Sequence, residues 1–269
     1  MKYSDKLKGI IKKNKSNLVV GLDSDIKKIP AIFLNKKNPV LEFNKSIIKA
    51  TKDIVAGYKL NLAFYEVLGK DFFETIKKTL DYIPNEMIKI CDGKRGDIGN
   101  TDEYYARAYF DVMKFDAMTV NPYMGRDSVV PFLTRKDKGI YVLALTSNSG
   151  SEDFQKQKIG KQYLYERVIE KCLEWDGNKQ ISFVIGANQT ELIKKVTIKH
   201  PEISILIPGI GAQGNDLSTL LRNIKNDYYL INSSRSIIYD SDYFKNIREY
   251  ENKVRIKAEV LSDIIFAKK

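Results

Sequence analysis

The sequence predicts a single-domain α/β protein folded as a (β/α)8, or TIM, barrel. Eight short apolar runs rich in β-branched residues recur along the chain, and segments with helical spacing separate them. The runs are continuously rather than alternately hydrophobic, which is typical of parallel strands buried on both faces. The length of 269 residues suits one barrel domain. A doubly wound open sheet is the alternative, but no Gly-x-Gly-x-x-Gly turn follows the first run.

The predicted elements follow one another in a regular order. The strands are predicted at 18–22, 57–60, 87–91, 117–120, 140–145, 181–185, 203–207 and 228–231. Helices are predicted at 40–51, 71–83, 162–175 and 188–199, and a last helix at 242–267 closes the ring. No break in composition divides residues 1–269, so one domain is expected.

Two segments lie outside this repeat. Leu7, Ile10 and Ile11 have helical spacing, which predicts a short amphipathic helix within about 1–17 that packs on the barrel. An insertion at about 26–52 follows the first strand and ends in a predicted helix.

The composition limits the kinds of partner that the protein is expected to bind. The formal net charge of +11 favours anionic ligands through the general field of the protein. The lysines are scattered and rarely interleave with aromatic residues, which argues against a nucleic-acid partner, and biased use of Lys, Asn and Ile explains the same excess. No stretch approaches the ~18 apolar residues of a membrane span. Residues 1–17 contain six lysines without a continuous apolar run, unlike a secretory signal, so a cytoplasmic protein without a membrane partner is expected.

Cysteine and histidine usage narrows the chemistry. Cys91 and Cys172 lie far apart without metal-ligand spacing, which favours a reducing compartment. The sequence has one histidine, His200, and with Pro201 after it this position is typical of a helix end. Most Ser-His-Asp and histidine-rich metal sites are therefore excluded, because they need a histidine at the site. In an enzyme with this sequence, lysine and aspartate must move the protons.

The stretch 88–101 carries the densest cluster of charges at a strand end. Side chains alternate along a strand, so Asp92 and Lys94 are expected on one face, about one salt bridge apart. Asp97 and Thr101 are four residues apart and share a face if a helix starts there. Two flanking carboxylates favour the charged form of a lysine, which predicts that Lys94 is a positioned proton donor. The alternative is a solvated turn, and the Arg-Gly-Asp tripeptide in this stretch is interpreted as coincidence.

Polar residues follow every predicted strand. They are Asp23 after the first strand, Lys59 and Asn61 at the second, Asp92 and Lys94 at the third, Asn121 and Pro122 at the fourth, Thr146, Ser147 and Asn148 at the fifth, Gly186 and Asn188 at the sixth, 208–214 at the seventh, and Ser233, Ser234 and Arg235 at the eighth. Barrel enzymes place their chemistry at the carboxyl ends of the strands. This polar rim is therefore the predicted functional site.

The loops after strands seven and eight predict an anion site. The glycine-rich run 208–214 allows backbone N–H groups to approach an anion closely, and Arg235 can bind phosphate with two parallel hydrogen bonds. Barrels often hold a phosphate at these two loops. The alternative is a flexible loop beside a surface arginine, because glycine motifs are permissive.

The central motif and the rim form one combined pattern. The motif reads Asp92-Gly93-Lys94-Arg95-Gly96-Asp97, in the form Asp-x-Lys-x-x-Asp. Around it lie Leu22-Asp23, Tyr58-Lys59-Leu60-Asn61, and the stretches 119–125, 208–214 and 232–235. Together, over nearly the whole chain, these residues resemble orotidine 5'-phosphate decarboxylases. The Val-Asn-Pro-Tyr-Met-Gly and Thr-Ser-Asn stretches are similar to the longer bacterial, type 2 branch of that family, which some protozoan members also resemble.

The resemblance implies decarboxylation of orotidine 5'-phosphate to UMP and CO2, the last step of de novo UMP synthesis, without a metal or organic cofactor. Loss of CO2 from C6 leaves electron density in an sp2 orbital that the ring cannot delocalise, so a fixed charge must stabilise it. Lys94 would face the developing carbanion and then protonate C6. Asp92 would face the substrate carboxylate, disfavour the ground state and orient Lys94.

The resemblance also implies roles for the other rim residues. Lys59 would bind the ribose and Asp92, and Asp23 would bind the ribose 3'-hydroxyl. Asp97 and Thr101 would reach the ribose 2'-hydroxyl in the neighbouring subunit's site, which makes a homodimer part of the active site. The remaining assignments are Arg235 and Gln213 for the phosphate, Thr146 or Ser147 for the pyrimidine edge, Pro208 for the apolar wall near the leaving carboxylate, and Asn61 among the substrate-binding residues.

Two other functions remain open from the sequence. Mg²⁺-dependent sugar-phosphate decarboxylases or aldol-type lyases of the same superfamily share the motif, but they carry an acidic residue near the end of strand two, where this chain has Lys59. A lysine there repels the cation. A basic barrel could instead be a nucleic-acid-binding protein or scaffold without catalysis. The presence of every charged member of the predicted network argues against that function.

Overall fold

The structure is a computed structural model and describes residues 1–210 and 216–267. Within these residues, eight parallel strands close a barrel in which each strand pairs with its neighbours in the sequence, and the last pairs with the first. The strands are β1 (Leu18–Gly21), β2 (Gly57–Asn61), β3 (Ile88–Arg95), β4 (Ala117–Val120), β5 (Gly139–Leu145), β6 (Ile181–Ile185), β7 (Ile205–Pro208) and β8 (Tyr229–Ser233). The predicted (β/α)8 barrel is confirmed.

Helices cover the outside of the barrel and fill the connections. They are α1 (Tyr3–Asn14), α2 (Ala31–Leu34), α3 (Pro39–Thr51), α4 (Ala63–Glu66), α5 (Phe72–Tyr82), α6 (Asn100–Ala106), α7 (Leu164–Trp175), α8 (Thr190–Lys199), α9 (Leu217–Asn223), α10 (Arg235–Ile238) and α11 (Ile247–Phe266). A π-helical segment, Arg107–Val112, continues α6. Helix α3, at the end of the insertion after β1, packs between α5 and α11.

The predicted amphipathic helix at the start of the chain is confirmed as α1. Its apolar face, with Leu7, Ile10 and Ile11, is buried. Tyr3 contacts the first residue of β5, Gly139, so closely that a Cβ there would lie 2.3 Å from the tyrosine ring. The Tyr3 hydroxyl also lies 2.8 Å from that of Tyr141. Helix α1 is therefore fixed to the barrel by both apolar and polar contacts.

The strand predictions are most accurate where a short apolar run is the whole strand. β4 and β6 have their predicted bounds, whereas β3 was predicted to end at residue 91 and continues to Arg95. The reason is an irregularity in its pairing. Cys91 lies opposite Met118 and Arg95 opposite Val120, so four steps along β3 match two along β4. Such a bulge allows charged residues to lie within a strand without taking part in its regular hydrogen-bond pairing with the next strand.

A short antiparallel hairpin precedes α7 and was not predicted. Lys158–Ile159 pairs with Gln162–Tyr163, so the helix predicted at 162–175 begins two residues later. The Glu166 carboxylate accepts a hydrogen bond from the Tyr163 N–H at 3.1 Å, which caps the first turn of the helix.

The last helix was predicted to begin at residue 242 and begins at Ile247. The side chain of Asn246 accepts a hydrogen bond from the Glu249 N–H at 3.0 Å, which is the local signal for the start. The other predicted helices differ from the observed ones by one or two residues at their ends. His200 follows the last residue of α8, as predicted.

Candidate active site

A row of alternating charges lies at the carboxyl ends of β1, β2 and β3. The Lys59 ammonium is 2.8 Å from Oδ2 of Asp92 and 3.6 Å from Oδ1 of Asp23. The Lys94 ammonium is 2.6 Å from the other oxygen of Asp92, Oδ1. The order Lys94, Asp92, Lys59, Asp23 therefore alternates cation and anion across three neighbouring strands.

The row keeps its central groups ionised. Burial by itself raises the pKa of Asp92, but the charges of Lys59 and Lys94 outweigh it and hold that pKa well below the ordinary aspartate value. Burial lowers the pKa of Lys59, and the charges of Asp23 and Asp92 again outweigh it, so the pKa of Lys59 is raised. At neutral pH a carboxylate and an ammonium are thus held charged in a largely buried position.

The backbone around Lys94 is unusual and is fixed by one threonine. Lys94 has a backbone φ of +46°, in the left-handed region that residues other than glycine rarely adopt. Its N–H donates to the hydroxyl of Thr119 on β4 at 2.9 Å, and this hydroxyl donates to Oδ1 of Asp92 at 3.0 Å. A Cβ at Gly93 would lie 2.8 Å from a methyl group of Leu62. Thr119 and Gly93 therefore let the bulge in β3 turn Lys94 toward Asp92.

A cavity of about 490 Å³ adjoins the charge row. Its lining includes the predicted residues Asp23, Lys59, Asn61, Asp92, Pro208 and Arg235, together with Gly209, Ile210, Asn232, Ser234 and Ser236. Lys94 is not part of this lining, but its ammonium bonds Asp92, which is. A second cavity of about 270 Å³, near Tyr3 and His200 beneath α1, holds none of the predicted site residues. The cavity beside the charge row is therefore the candidate site.

The structure corrects the predicted position of Asp97. Helix α6 begins at Asn100, after Gly99 with φ +50°, so Asp97 precedes the helix and does not share its face with Thr101. Oδ1 of Asp97 accepts the N–H of Ile98 at 2.7 Å. Within this row of one chain, Lys59 pairs with two carboxylates, whereas Lys94 pairs with Asp92 alone.

The two candidates after β5 differ in what their hydroxyls contact. The Thr146 hydroxyl donates to Oδ1 of Asn148 at 2.6 Å and accepts from Nε2 of Gln155 at 3.0 Å. The Ser147 hydroxyl has no hydrogen-bond partner in the part of the chain that the structure describes, and the Ser147 carbonyl accepts from Asn188 at 3.2 Å. Gln213 lies outside the described residues, as does the rest of 211–215.

Three residues contribute to the site without a predicted role. Thr119 links β3 to β4, as described above. Asn232 lines the cavity and is buried, and its Oδ1 has no hydrogen-bond partner in residues 1–210 and 216–267. Ser234 packs over Gly21, where a Cβ would lie 1.9 Å from the serine Oγ. The sequence does place these three residues at predicted strand ends, within the stretches 119–125 and 232–235 that resemble the decarboxylase family.

Residues 1–210 and 216–267 lack two kinds of structural feature. They contain no group of three or more His, Cys, Asp or Glu side chains placed to hold a metal ion. They also contain no helix with the length and apolar character that crossing a membrane requires.

Comparisons with known proteins agree on one family. The family model described as orotidine 5'-phosphate decarboxylase / HUMPS family matches residues 16–250. The chain is 48% identical over 246 residues to the orotidine 5'-phosphate decarboxylase of Dehalococcoides mccartyi (strain CBDB1), covering 89% of each. It is 46% identical over 244 residues to that of Christiangramia forsetii, covering 89% of this chain and 90% of the other. The structure of Leishmania donovani OMP decarboxylase superposes with a TM-score of 0.84 at 32% identity, covering 100% of this chain and 98% of that one.

The contacts of Thr119 lead to a stability prediction. Thr119→Val keeps the side-chain shape but removes both hydrogen bonds, so the free energy of unfolding should fall by about 1–3 kcal/mol. Thr119→Ser keeps the hydroxyl and should lose less. Urea denaturation followed by circular dichroism measures both variants, and wild-type stability in Thr119→Val would contradict the proposed link.

Proposed function

This chain belongs to the orotidine 5'-phosphate decarboxylase / HUMPS family, and we propose that its cavity at the carboxyl ends of the strands converts orotidine 5'-phosphate to UMP and CO2. The protein is accordingly a carboxy-lyase of UMP biosynthesis. The observation that carries the proposal is the charge row Lys94, Asp92, Lys59, in which a buried carboxylate is held between two ammonium groups at 2.6 and 2.8 Å.

The row supplies the fixed charge that this reaction needs. When CO2 leaves C6, the electron pair of the broken bond stays in the plane of the ring and is not delocalised, so a cation in a fixed position lowers the barrier. The Lys94 ammonium fills this role because Asp92 holds it at 2.6 Å. The ionised Asp92 lies against the substrate carboxylate and raises the ground-state energy.

Lys94 also completes the reaction. The electron pair at C6 takes a proton from the Lys94 ammonium, which gives UMP and a neutral lysine that regains its proton from water. Asp92 remains ionised throughout, because Lys59 still compensates its charge at 2.8 Å. The proton therefore moves in one step between Nζ of Lys94 and C6.

The cavity has groups for the sugar and the phosphate. Oδ1 of Asp23 faces Lys59 at 3.6 Å, beyond hydrogen-bond distance, and has no hydrogen-bond partner among the described residues, so it can accept the ribose 3'-hydroxyl. Lys59 lies between Asp23 and Asp92 and reaches the same sugar. Arg235, at the start of α10, binds the phosphate, with Gln213 as a second group. A volume of about 490 Å³ suits a nucleotide-sized ligand.

Ser147 is the better candidate for the pyrimidine edge. The Thr146 hydroxyl is engaged with Asn148 and Gln155, whereas no partner of the Ser147 hydroxyl occurs in the described ranges. A side chain without an internal partner can bond a ligand without losing a contact. Pro208 lines the cavity and supplies the apolar wall near the leaving carboxylate.

A homodimer completes the proposed site. Asp97 lies between β3 and α6, and Thr101 lies in the first turn of α6. Between them, Ile98 has 63% of its surface exposed. Tyr104, on the same helix, is 61% exposed. Large apolar side chains at that exposure favour contact with another chain, here a second copy. Asp97 and Thr101 then reach the 2'-hydroxyl in the partner's site. The dimer is proposed to work in the cytoplasm.

The Mg²⁺-dependent relatives are the second candidate, and Lys59 argues against them. Its ammonium lies 2.8 Å from Asp92 and 3.6 Å from Asp23, so it compensates the carboxylates that would otherwise attract a divalent ion. A metal-dependent reaction at this row would have to displace a buried ammonium.

The direct test is an ultraviolet assay for loss of orotidine 5'-phosphate, with and without EDTA. The wild-type protein should give the same turnover in both conditions, because ammonium groups supply the positive charge. Lys94→Ala should still bind UMP but show no measurable turnover. Loss of wild-type activity in EDTA, restored by Mg²⁺, would favour the second candidate.

The phosphate contact gives a separate prediction. Arg235→Ala should lower kcat/KM for orotidine 5'-phosphate by about 10- to 100-fold, the equivalent of losing about 1.5–3 kcal/mol of charge-assisted hydrogen bonding. For orotidine, which lacks the phosphate, the variant and the wild type should react at the same rate. Arg248→Ala removes an exposed arginine on α11 and serves as the control. A kcat/KM near the wild-type value in Arg235→Ala would refute the assignment.

A further inference from the structure

The segment 96–102, which carries Asp97, is held in place by a buried carboxyl group. Asp102 is fully buried, and its Oδ2 accepts a hydrogen bond from the N–H of Asp97 at 3.0 Å. Asp102 lies in the first turn of α6, where the positive end of the helix favours a negative charge. The bond closes a loop of six residues and fixes the backbone of Asp97 from the helix side.

The other end of the segment is fixed by a close backbone contact. Gly96 lies against the end of β4, where a Cβ would be 2.7 Å from the carbonyl oxygen of Asn121. The Asn121 N–H donates to the carbonyl of Arg95 at 2.8 Å. With Gly96 held at one end and Asp102 at the other, these two contacts fix the backbone of Asp97 on both sides.

Asp102 is not required to attach helix α6 to the barrel. The Arg135 guanidinium binds both oxygens of Glu103, at 2.8 and 2.7 Å, and also Asp111 at 2.6 Å. This bidentate link anchors the helix independently. Loss of the Asp102 carboxyl should therefore free the segment before the helix while leaving the helix in place.

Burial of the Asp102 carboxyl group is energetically unfavourable, and its own contacts compensate little of that free energy. Its Oδ1 has no hydrogen-bond partner in the described ranges, and burial raises the pKa of the group. An apolar side chain would fill a purely structural position without an unpaired polar atom. Within the same ranges, the side chain of Asp102 makes one hydrogen bond, and its partner is the N–H of Asp97.

We propose that Asp102 is a positioning residue that directs Asp97 into the active site of the neighbouring subunit. The inference rests on the proposed function and on the proposed dimer. It assigns each subunit two separable parts: a barrel with its own Lys94, and a segment, aligned by Asp102, that serves the partner's site. Substitution of Asp102 should then impair the active site of the partner subunit and not the active site in its own barrel.

Hybrid dimers test this division. Lys94→Ala and Asp102→Ala chains carrying different tags are co-expressed, and tandem affinity purification isolates the dimer with one chain of each kind. In that dimer the barrel with Lys94 receives an intact segment from the Lys94→Ala chain. The hybrid should show about half the wild-type kcat/KM per dimer, since one of two equivalent sites is complete.

The homodimers define the comparison. Asp102→Ala should lower kcat/KM by about 10- to 100-fold, the scale expected for a misplaced contact group. Asp102→Asn keeps an oxygen that can accept the Asp97 N–H and should retain most of the activity. Glu103→Ala, on the same helix, should reduce stability by weakening the Arg135 link but leave kcat unchanged.

Several results would overturn the inference. If Asp102 acts only within its own subunit, the hybrid will show half the kcat/KM of the Asp102→Ala homodimer and not half that of the wild type. Wild-type kcat/KM in Asp102→Ala would exclude a positioning role, and failure to isolate any hybrid would exclude the shared site. Absence of turnover in the wild type would instead refute the proposed function, and the inference with it.

Discussion

The site depends on one carboxylate held between two ammonium groups. Asp92 bonds Lys59 from the neighbouring strand and Lys94 from its own. Because the carboxylate is buried, removal of both cations would leave an uncompensated charge. Asp92 also holds the Lys94 ammonium at 2.6 Å before any substrate arrives. A reaction that must stabilise a localised electron pair benefits from that preorganisation, since no rearrangement is needed at the moment of bond breaking.

The fold supplies the rigidity that the row requires. A regular strand would keep Lys94 in the ladder with β4, but the bulge in β3 and the left-handed backbone at Lys94 release it. Strain of this kind persists only where surrounding contacts impose it. Thr119 provides such contacts, because its hydroxyl bonds the Lys94 backbone and the Asp92 side chain at once. The conformation and the charge pair are therefore stabilised by the same group.

Much of the fold and part of the site could be predicted from the sequence. Apolar runs such as β4 and β6 indicate buried strands. The expected contact between Asp92 and Lys94 occurs at 2.6 Å, but the bulge in β3 rather than regular strand alternation produces it. The alternation of side chains along a strand does not show which residues of other strands lie nearby. The sequence therefore predicts two carboxylates around Lys94, whereas in one chain it is Lys59 that lies between two, Asp23 and Asp92. Nor does a pattern reveal a bulge, a two-residue hairpin, or whether the hydroxyl of Thr146 is already engaged. These features arise from contacts between distant residues, which periodicity does not encode.

The ionisation of Asp92 is the most direct measure of the central claim. Carbon-13 NMR of labelled aspartate carboxyl groups, with the Asp92 signal assigned from Asp92→Asn, follows its protonation as the pH is lowered. Because the folded pKa is depressed, its stabilising contribution is present above the ordinary aspartate pKa and is lost only as the pH falls through the lower folded value. We expect Asp92 to remain ionised well below pH ~3.9, the ordinary value. Titration at or above that pH would contradict the account.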